Sequence, residues 1–181
     1  RELLELAIKA PTGSNAQNWE FVVVKDPAVK AKLARLNRMA WSAYGGIGRL
    51  MARRAGDDKM LRIIDAVQWQ ADHFEAIPVI VVACCIMDDA EQDPGRYASS
   101  VWPGVQNLLL AARASGLGGV PTTYALAFRD ELEAALELPA HVRAQAVIPI
   151  GVPVGRFGPV RRPPVDQLMM YDRWSDGSPS P

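Results

Sequence analysis

The chain has 181 residues, of which 49% are hydrophobic and 22% charged, values typical of one globular domain with a buried core. Twenty basic residues balance twenty acidic ones, so charge gives no support for a nucleic-acid partner or an anionic membrane surface. The longest apolar run, residues 77–87, is too short to span a bilayer, so we expect no membrane partner.

The first half of the chain alternates helical and strand patterns. Residues 43–56 are ambiguous, because YGGIGR is glycine-rich and RRAGDD is charged. The remaining segments are assigned by hydrophobic period and by the prolines that begin or end helices. We predict, in chain order, a helix closed by Pro11, a strand over 19–25, a helix over 27–39, a helix over 58–75 and a buried strand over 78–86.

The second half begins with the polar loop MDDAEQDPGRY. A nearly all-apolar helix then starts at Ser99 or Ser100, and Gly116 is suited to its left-handed C-terminal cap. We find no internal repeat and no domain boundary, so we predict a single α+β domain over residues 1–181. The elements that complete it are a short strand or extended turn over 118–124, a helix over 128–138, a strand over 144–152 and an extended C-terminal arm over 153–181.

Cysteine and histidine content argues against disulfides and metals. Cys84 and Cys85 are adjacent on a predicted strand and would point to opposite faces, so we expect no disulfide and a reducing cytoplasm. His73 and His141 are far apart in sequence, which gives a metal site little support. His73 lies near Asp72 and Glu75 and could act as a base, but we favour a surface or half-buried helical residue.

Common catalytic motifs are missing from the sequence. GGIG at 45–48 lacks the dinucleotide-binding spacing, and there is no Walker loop, no nucleophile elbow and no zinc-binding H-E-x-x-H. Residues 12–18 are nevertheless seven consecutive polar or small residues, which is more than a turn requires. Either this loop is merely long and solvated, or its donors and acceptors face a ligand. An organic cofactor that supplies its own chemistry would explain both observations.

Four stretches resemble the nitroreductase family of FMN-dependent NAD(P)H oxidoreductases. APTGSNAQNWEFVVV is similar to the family signature A-P-S-x-x-N-x-Q-P-W-x-F-V-V-V, with Thr12 for the usual Ser and Asn18 for the usual Pro. The others follow in the family's order, and the match as a whole extends over nearly the whole chain. They are QNLLLAARASGLGG, VPTTY, and PIGVPVGRFGPVRRPPVDQL with YDRW. The resemblance implies an α+β sandwich, with a central, mostly antiparallel sheet flanked by helices and an extended C-terminal arm.

The resemblance also implies a homodimer that binds FMN at its interface. Its first cofactor segment would reach the flavin of the neighbouring subunit through Pro11, Thr12, Gly13 and Asn15. Gly13 would permit close backbone approach, and Asn15 offers both a donor and acceptors. Gln17 and Trp19 would fix the loop and fill the core, whereas we interpret Ser14, Ala16 and Asn18 as loop spacing. The apolar helix over 101–112 and the C-terminal arm would contribute to the dimer.

The second implied segment is Pro121, Thr122 and Thr123, along the isoalloxazine ring, with a backbone N–H directed toward flavin N5. Relatives often have Glu-Gly where this chain has Thr123-Tyr124, and this change puts ring tuning and substrate access in doubt. The alternative interpretation is an ordinary strand edge.

The phosphate candidates are Arg161, at the family's Arg-x-Pro position, and Arg162 as the fallback. Without the resemblance, a charge pair in a proline-rich tail would be interpreted as solvated. The family's N-terminal Arg-x-Ser-x-Arg cluster would lie upstream of Arg1. The chain starts inside a helical pattern and without Met, so we expect that residues upstream of Arg1 are missing from this sequence. If the family's arginine cluster were truly lost, the FMN phosphate would be held by too few cations.

The implied reaction is ping-pong hydride transfer from NAD(P)H through flavin N5 to an electron-poor acceptor such as a nitroaromatic or a quinone. No catalytic side chain and no metal is required, and the sequence does not choose between NADH and NADPH. Dehalogenation, enoyl reduction, flavin destruction or a non-catalytic, degenerate flavin-binding dimer remain alternatives. Aromatic residues could line the acceptor slot, although each is also a core candidate: Trp41, Tyr44, Trp69 and Trp102.

Overall fold

The computed structural model describes residues 1–88, 92–155 and 158–174. The parts of the predicted polar loop at 89–91 and of the predicted arm at 156–157 and 175–181 lie outside the described residues. The helices are α1 (Glu2–Ala7), α2 (Pro27–Ala55), α3 (Asp58–Asp72), α4 (Ala98–Ala114) and α5 (Arg129–Ala135). The strands are β1 (Trp19–Val24), β2 (Val79–Ile86), β3 (Gly118–Gly119) and β4 (Val142–Gly151).

The four strands form one antiparallel sheet in the order β1-β2-β4-β3. Val82 at its centre pairs with Val22 of β1 on one side and with Val147 of β4 on the other. β3 is short and pairs with the end of β4, and an isolated bridge joins Thr122 to Val147. The predicted α+β fold with a mostly antiparallel sheet is confirmed.

Helices cover both faces of the sheet. Because side chains alternate along a strand, Val81, Ala83 and Cys85 face a core shared with α1 and α4. Ile80, Val82 and Cys84 face the opposite core, which contains residues of α2 and α5. The prediction that Cys84 and Cys85 point to opposite faces is confirmed, and both thiols are free.

Burial makes Cys84 a pH-sensitive element of the core. Burial, with smaller contributions from Cys85, Glu133 and Glu20, raises the pKa of the Cys84 thiol to about 12. The unfolded thiol ionises near its ordinary pKa, whereas the folded one does not. Stability from this group is therefore fully present at neutral pH and is lost as the pH rises from about 9 toward 12, by at most about 1.4 kcal/mol per pH unit.

We expect the free energy of unfolding, measured with urea, to fall more steeply with rising alkaline pH for the wild type than for Cys84→Ala. Other alkaline titrations are common to both proteins and cancel in the comparison. A thiol reagent should label Cys84 only under unfolding conditions. Parallel pH profiles for the two proteins, or rapid labelling of Cys84 in the folded state, would contradict this expectation.

The longest helix differs most from its prediction. The helix predicted to end at residue 39 continues to Ala55 and ends at Gly56, which adopts a left-handed conformation with φ 65°. α2 and α3 form a helical hairpin with its own small core, which includes Trp41, Ala52 and Ile64. An ideal Cβ on Gly45 would lie only 2.7 Å from Cε2 of Trp41. Glycine there lets the Trp41 indole, one turn earlier on the same helix, lie against position 45, and this packing accounts for a glycine that the sequence pattern marks as a break.

The remaining boundaries differ by a few residues. α3 ends at Asp72, and a 3₁₀ turn, Phe74–Ala76, replaces the predicted last turn. A second 3₁₀ turn, Tyr124–Phe128, precedes α5. Gly116 follows α4 in the predicted left-handed conformation, with φ 75°. The described part of the arm is mostly exposed, with Pro153, Met169 and Met170 half-buried, and it contains one 3₁₀ turn, Val165–Gln167.

Candidate functional site

Hydrogen bonds within the polar loop before β1 fix its conformation. The amide of Gln17 donates to Oγ1 of Thr12 at 2.9 Å, and the amide of Asn15 donates to the carbonyl of Thr12 at 3.1 Å. Pro11, Gly13 and Asn15 are exposed, while Thr12 is half-buried. The side-chain amide of Asn15 makes no hydrogen bond to any described residue, so its donor and acceptor are available.

Backbone strain is concentrated in this loop. Ser14, Asn15 and Gln17 have φ values of 51°, 54° and 50°, although none is glycine. Non-glycine residues in this region cost on the order of 1 kcal/mol each, and such strain is common at functional sites. The strain favours a functional loop over the simple spacing that the sequence alone indicates for Ser14.

Ser100 is a site residue that the sequence did not reveal. It was a candidate helix start, but the helix begins at Ala98, and the Ser100 side chain is buried. Its Oγ accepts a hydrogen bond from the Gly13 amide at 3.2 Å, which joins α4 to the loop. An added Cβ on Gly13 would lie 3.8 Å from this oxygen, an ordinary contact. Any need for glycine at position 13 therefore comes from outside this chain.

The second segment leaves β3 and crosses back to β4. Thr122 is buried, and its amide donates to the carbonyl of Val147 at 2.8 Å. Thr123 is exposed and Pro121 is half-buried. The Tyr124 ring meets Trp41 edge to face, with the ring centroids 5.3 Å apart. Pro121 to Thr123 thus form a rigid sheet edge with one exposed residue.

Arg161 and Arg162 lie exposed in the arm. Nη1 of Arg162 donates to the carbonyl of Arg161 at 2.9 Å. Within the described ranges, neither guanidinium forms an ion pair with an acidic side chain. Both charges are therefore available to an anionic ligand.

The two loop segments lie at diagonally opposite corners of the sheet. β1 and β3 are the two edge strands, which puts about 14 Å of sheet between them. Trp19 is level with Cys85 of β2, whereas Thr122 is level with Val147 and therefore with Val82 of β2, three residues or about 10 Å away along that strand. A single copy of the chain therefore does not bring the two predicted cofactor segments together.

The candidate aromatic residues occupy different environments. Trp41 is 6% exposed and belongs to the hairpin core, while Tyr44 is 61% exposed beside it. Trp69 is exposed and stacks on His73, whose Nδ1 is 2.7 Å from the Trp69 carbonyl oxygen. Trp102 is partly buried against the core beneath α4. Trp41 and Tyr44 adjoin the second segment through Tyr124, and Trp69 lines a separate cleft.

The described ranges contain no candidate metal centre and no candidate membrane span. No group of three or more His, Cys, Asp or Glu residues there could hold a metal ion. No helix there is long and apolar enough to cross a membrane.

The chain is similar to known flavoproteins over most of its length. The model of the nitroreductase family matches residues 1–152. Iodotyrosine deiodinase from Thermotoga neapolitana is 31% identical over 152 residues, which cover 83% of this chain and 74% of the relative. NADH dehydrogenase from Thermus thermophilus is 27% identical, with 94% of this chain and 83% of the relative covered.

A solved structure agrees with this assignment. Oxidised iodotyrosine deiodinase bound to FMN and 3-iodo-L-tyrosine superposes with a TM-score of 0.72 at 25% identity, and the match covers 95% of this chain and 85% of the other. The family match spans both loop segments and all four strands described above. The chain belongs to the nitroreductase family of flavoprotein oxidoreductases.

Proposed function

We propose that this protein is an FMN-dependent oxidoreductase that works as a homodimer. It takes electrons from NAD(P)H and delivers them to an electron-poor small molecule, such as a nitroaromatic or a quinone. The observation that carries the proposal is the placement of the two loop segments at opposite corners of the sheet. One flavin can contact both segments only where two subunits meet.

The donors and acceptors in these segments suit a flavin ring. The exposed Asn15 amide can both donate and accept, and exposed backbone at Pro11 and Gly13 permits close contact. On the other subunit, Pro121, Thr122 and Thr123 present a sheet edge whose backbone is fixed by the pairing of Thr122 with Val147. Such neutral hydrogen-bonding groups match the carbonyl and nitrogen atoms of an isoalloxazine ring.

The arm supplies positive charge for the phosphate. Arg161 and Arg162 present two guanidinium groups that are not neutralised by any described acidic residue. A guanidinium can bind two phosphate oxygens at once, which makes arginine well suited to this role. Thr12 accepts from the Gln17 amide, which fixes the loop, and its hydroxyl keeps an O–H donor for the cofactor.

When bound, FMN supplies the redox chemistry, accepting hydride at N5 and passing electrons to the acceptor. The protein's share is to bind, orient and partly enclose the reactants. We assign no acid or base, since His73 is engaged with Trp69.

Exposed apolar surface supports the homodimer. Leu6 of α1 is 54% exposed and Leu110 of α4 is 58% exposed. Along the arm, Val154, Val165 and Trp174 are also exposed. Apolar residues on α4 and on an extended arm suit a subunit interface better than solvent.

Reductive dehalogenation is the second candidate function. It is favoured by the similarity to iodotyrosine deiodinase and to its complex with 3-iodo-L-tyrosine. The two reactions share a flavin and differ in the acceptor. Release of iodide from 3-iodo-L-tyrosine, measured beside reduction of a nitroaromatic and a quinone, would separate them.

The first test is a visible absorption spectrum of the purified protein before and after anaerobic addition of NADPH and then NADH. We expect a flavin spectrum that bleaches with at least one nucleotide. Bound flavin that neither nucleotide bleaches, but that dithionite does, would contradict NAD(P)H dependence. A folded protein that stays colourless after FMN is added would overturn the proposed function and favour a degenerate dimer.

A further inference from the structure

A groove runs between α2 and α3 beside the second loop segment. Its volume is about 540 Å³. Its walls are apolar, formed by methionine, isoleucine, valine and alanine side chains with three aromatic rings, and it opens to solvent. Its lining includes Trp41, Tyr44, Asp57, Met60 and Tyr124.

We infer that this groove, hereafter the hairpin groove, binds the electron acceptor and selects uncharged planar molecules, with Tyr124 as a specificity-determining residue. The inference rests on the proposed function, because it assumes that Thr123 lies beside the cofactor. It goes further by naming the acceptor class and the residues that choose it.

Tyr44 and Tyr124 connect the hairpin groove to the second segment. Both line the groove and also a neighbouring cavity of about 370 Å³. The other residues lining that cavity are Thr123 and Ala127. The two tyrosines therefore form the junction between the groove and the exposed residue of the proposed cofactor segment. A flat molecule can lie against such rings by stacking, whereas a bulky one would clash with them.

Tyr124 is fixed by a chain of contacts. Its ring meets Trp41 at an interplanar angle of 70°, and its amide lies 3.4 Å from Oγ1 of Thr122. Nε1 of Trp41 donates to Oε1 of Gln68 at 2.8 Å, and Nε2 of Gln68 donates to Asp72 at 2.9 Å. The junction formed by the two tyrosines is thus supported by the hairpin core, and Gln68 acts as a positioning residue for it.

The charge of the lining decides the acceptor class. None of the residues that line the hairpin groove is Lys, Arg or His. The one carboxylate, Asp57, accepts from the Met60 amide at 2.9 Å and caps α3. An anionic substituent would lose hydration on entry and gain no cationic partner. An uncharged ring avoids this cost.

The experiment compares two probes that differ in charge, 2-methyl-1,4-naphthoquinone and 1,4-naphthoquinone-2-sulfonate. Isothermal titration calorimetry of the oxidised, flavin-loaded protein measures their binding without turnover. We expect the neutral quinone to bind at least about tenfold more tightly. Met60→Lys adds a cation inside the groove and should raise sulfonate affinity about tenfold. Ala43→Lys adds the same charge at an exposed position that does not line the groove and should leave the affinity unchanged.

Variants of Tyr124 test whether its ring at this junction contributes to acceptor binding. Tyr124→Phe keeps the ring and should bind the neutral quinone as the wild type does. Tyr124→Ala should weaken that binding severalfold, with thermal melting used to show that it remains folded. Equal affinity for the two quinones, or equal effects of Met60→Lys and Ala43→Lys, would overturn the inference. If the protein binds no FMN, the proposed function fails, while the same titration of the colourless protein still tests the groove.

Discussion

Gly45→Ala should lower the free energy of unfolding relative to Gly46→Ala by about 1–3 kcal/mol, although both changes put alanine in the middle of α2. An ideal Cβ at position 45 would lie 2.7 Å from Cε2 and 2.8 Å from Cζ2 of Trp41. The indole cannot swing away easily, because Trp41 is 6% exposed and its Nε1 donates to Gln68. The clash therefore has to be relieved by moving the hairpin core.

Gly46 supplies the matched control. An ideal Cβ there meets nothing within 4 Å, so Gly46→Ala should stabilise the protein by about 1 kcal/mol through helix propensity alone. Urea unfolding of both variants and the wild type measures the difference. Near-ultraviolet circular dichroism should change for Gly45→Ala, because the edge-to-face contact of Trp41 with Tyr124 is disturbed. Equal stabilisation of the two variants would mean that the indole does not pack on Gly45.

Local pattern was sufficient for the sheet. Continuous apolarity over β2 predicts a strand covered on both faces, and both cores are present. Alternation then determines which residues share a face, as the opposite orientations of Cys84 and Cys85 illustrate. These features follow from a period of two residues and need no knowledge of distant partners.

Local pattern failed where distant contacts decide the structure. The second half of α2 contains Gly45, Gly46 and Gly48, which lower helix propensity, yet packing against α3 stabilises the helix. Ser100 joins the polar loop across 87 positions of sequence, and no short motif signals such a contact. The strained φ values at Ser14 and Gln17 were also unpredictable, because neither residue favours that region.

The sequence likewise predicts some features of the candidate site and not others. The polar loop and the arginine pair stand out in the sequence, and the family resemblance gives them roles. Their relative positions depend on strand order, which the sequence of each segment does not specify. Only the order β1-β2-β4-β3 shows that the two loop segments adjoin opposite edges of the sheet within one copy. This separation makes the two-subunit proposal testable.

Removing both phosphate candidates should release the cofactor. We expect Arg161→Ala/Arg162→Ala to weaken FMN binding at least about 100-fold, since each charge-assisted contact contributes about 1.5–3 kcal/mol. Arg173→Ala removes an exposed cation from the same arm and should leave FMN affinity unchanged. Fluorescence titration of the apoprotein with FMN measures all three constants. If Arg173→Ala lost as much FMN affinity as the double variant, the loss would reflect the overall charge of the arm and not specific phosphate contacts of Arg161 and Arg162.

Mixing two defective variants tests whether each site is shared between subunits. Gly13→Leu should block close approach of the flavin, while its own chain has room for a Cβ at that position. Each variant alone should purify without flavin. In the proposed homodimer the polar loop reaches the flavin of the neighbouring subunit, whereas the arm holds the flavin of its own subunit. Exchange of subunits between Gly13→Leu and Arg161→Ala/Arg162→Ala therefore places an intact loop and an intact arm at one of the two sites in each heterodimer. Random exchange should then restore about a quarter of the wild-type flavin content. If one subunit held the whole site, no mixture would recover any flavin, and the two-subunit proposal would be wrong.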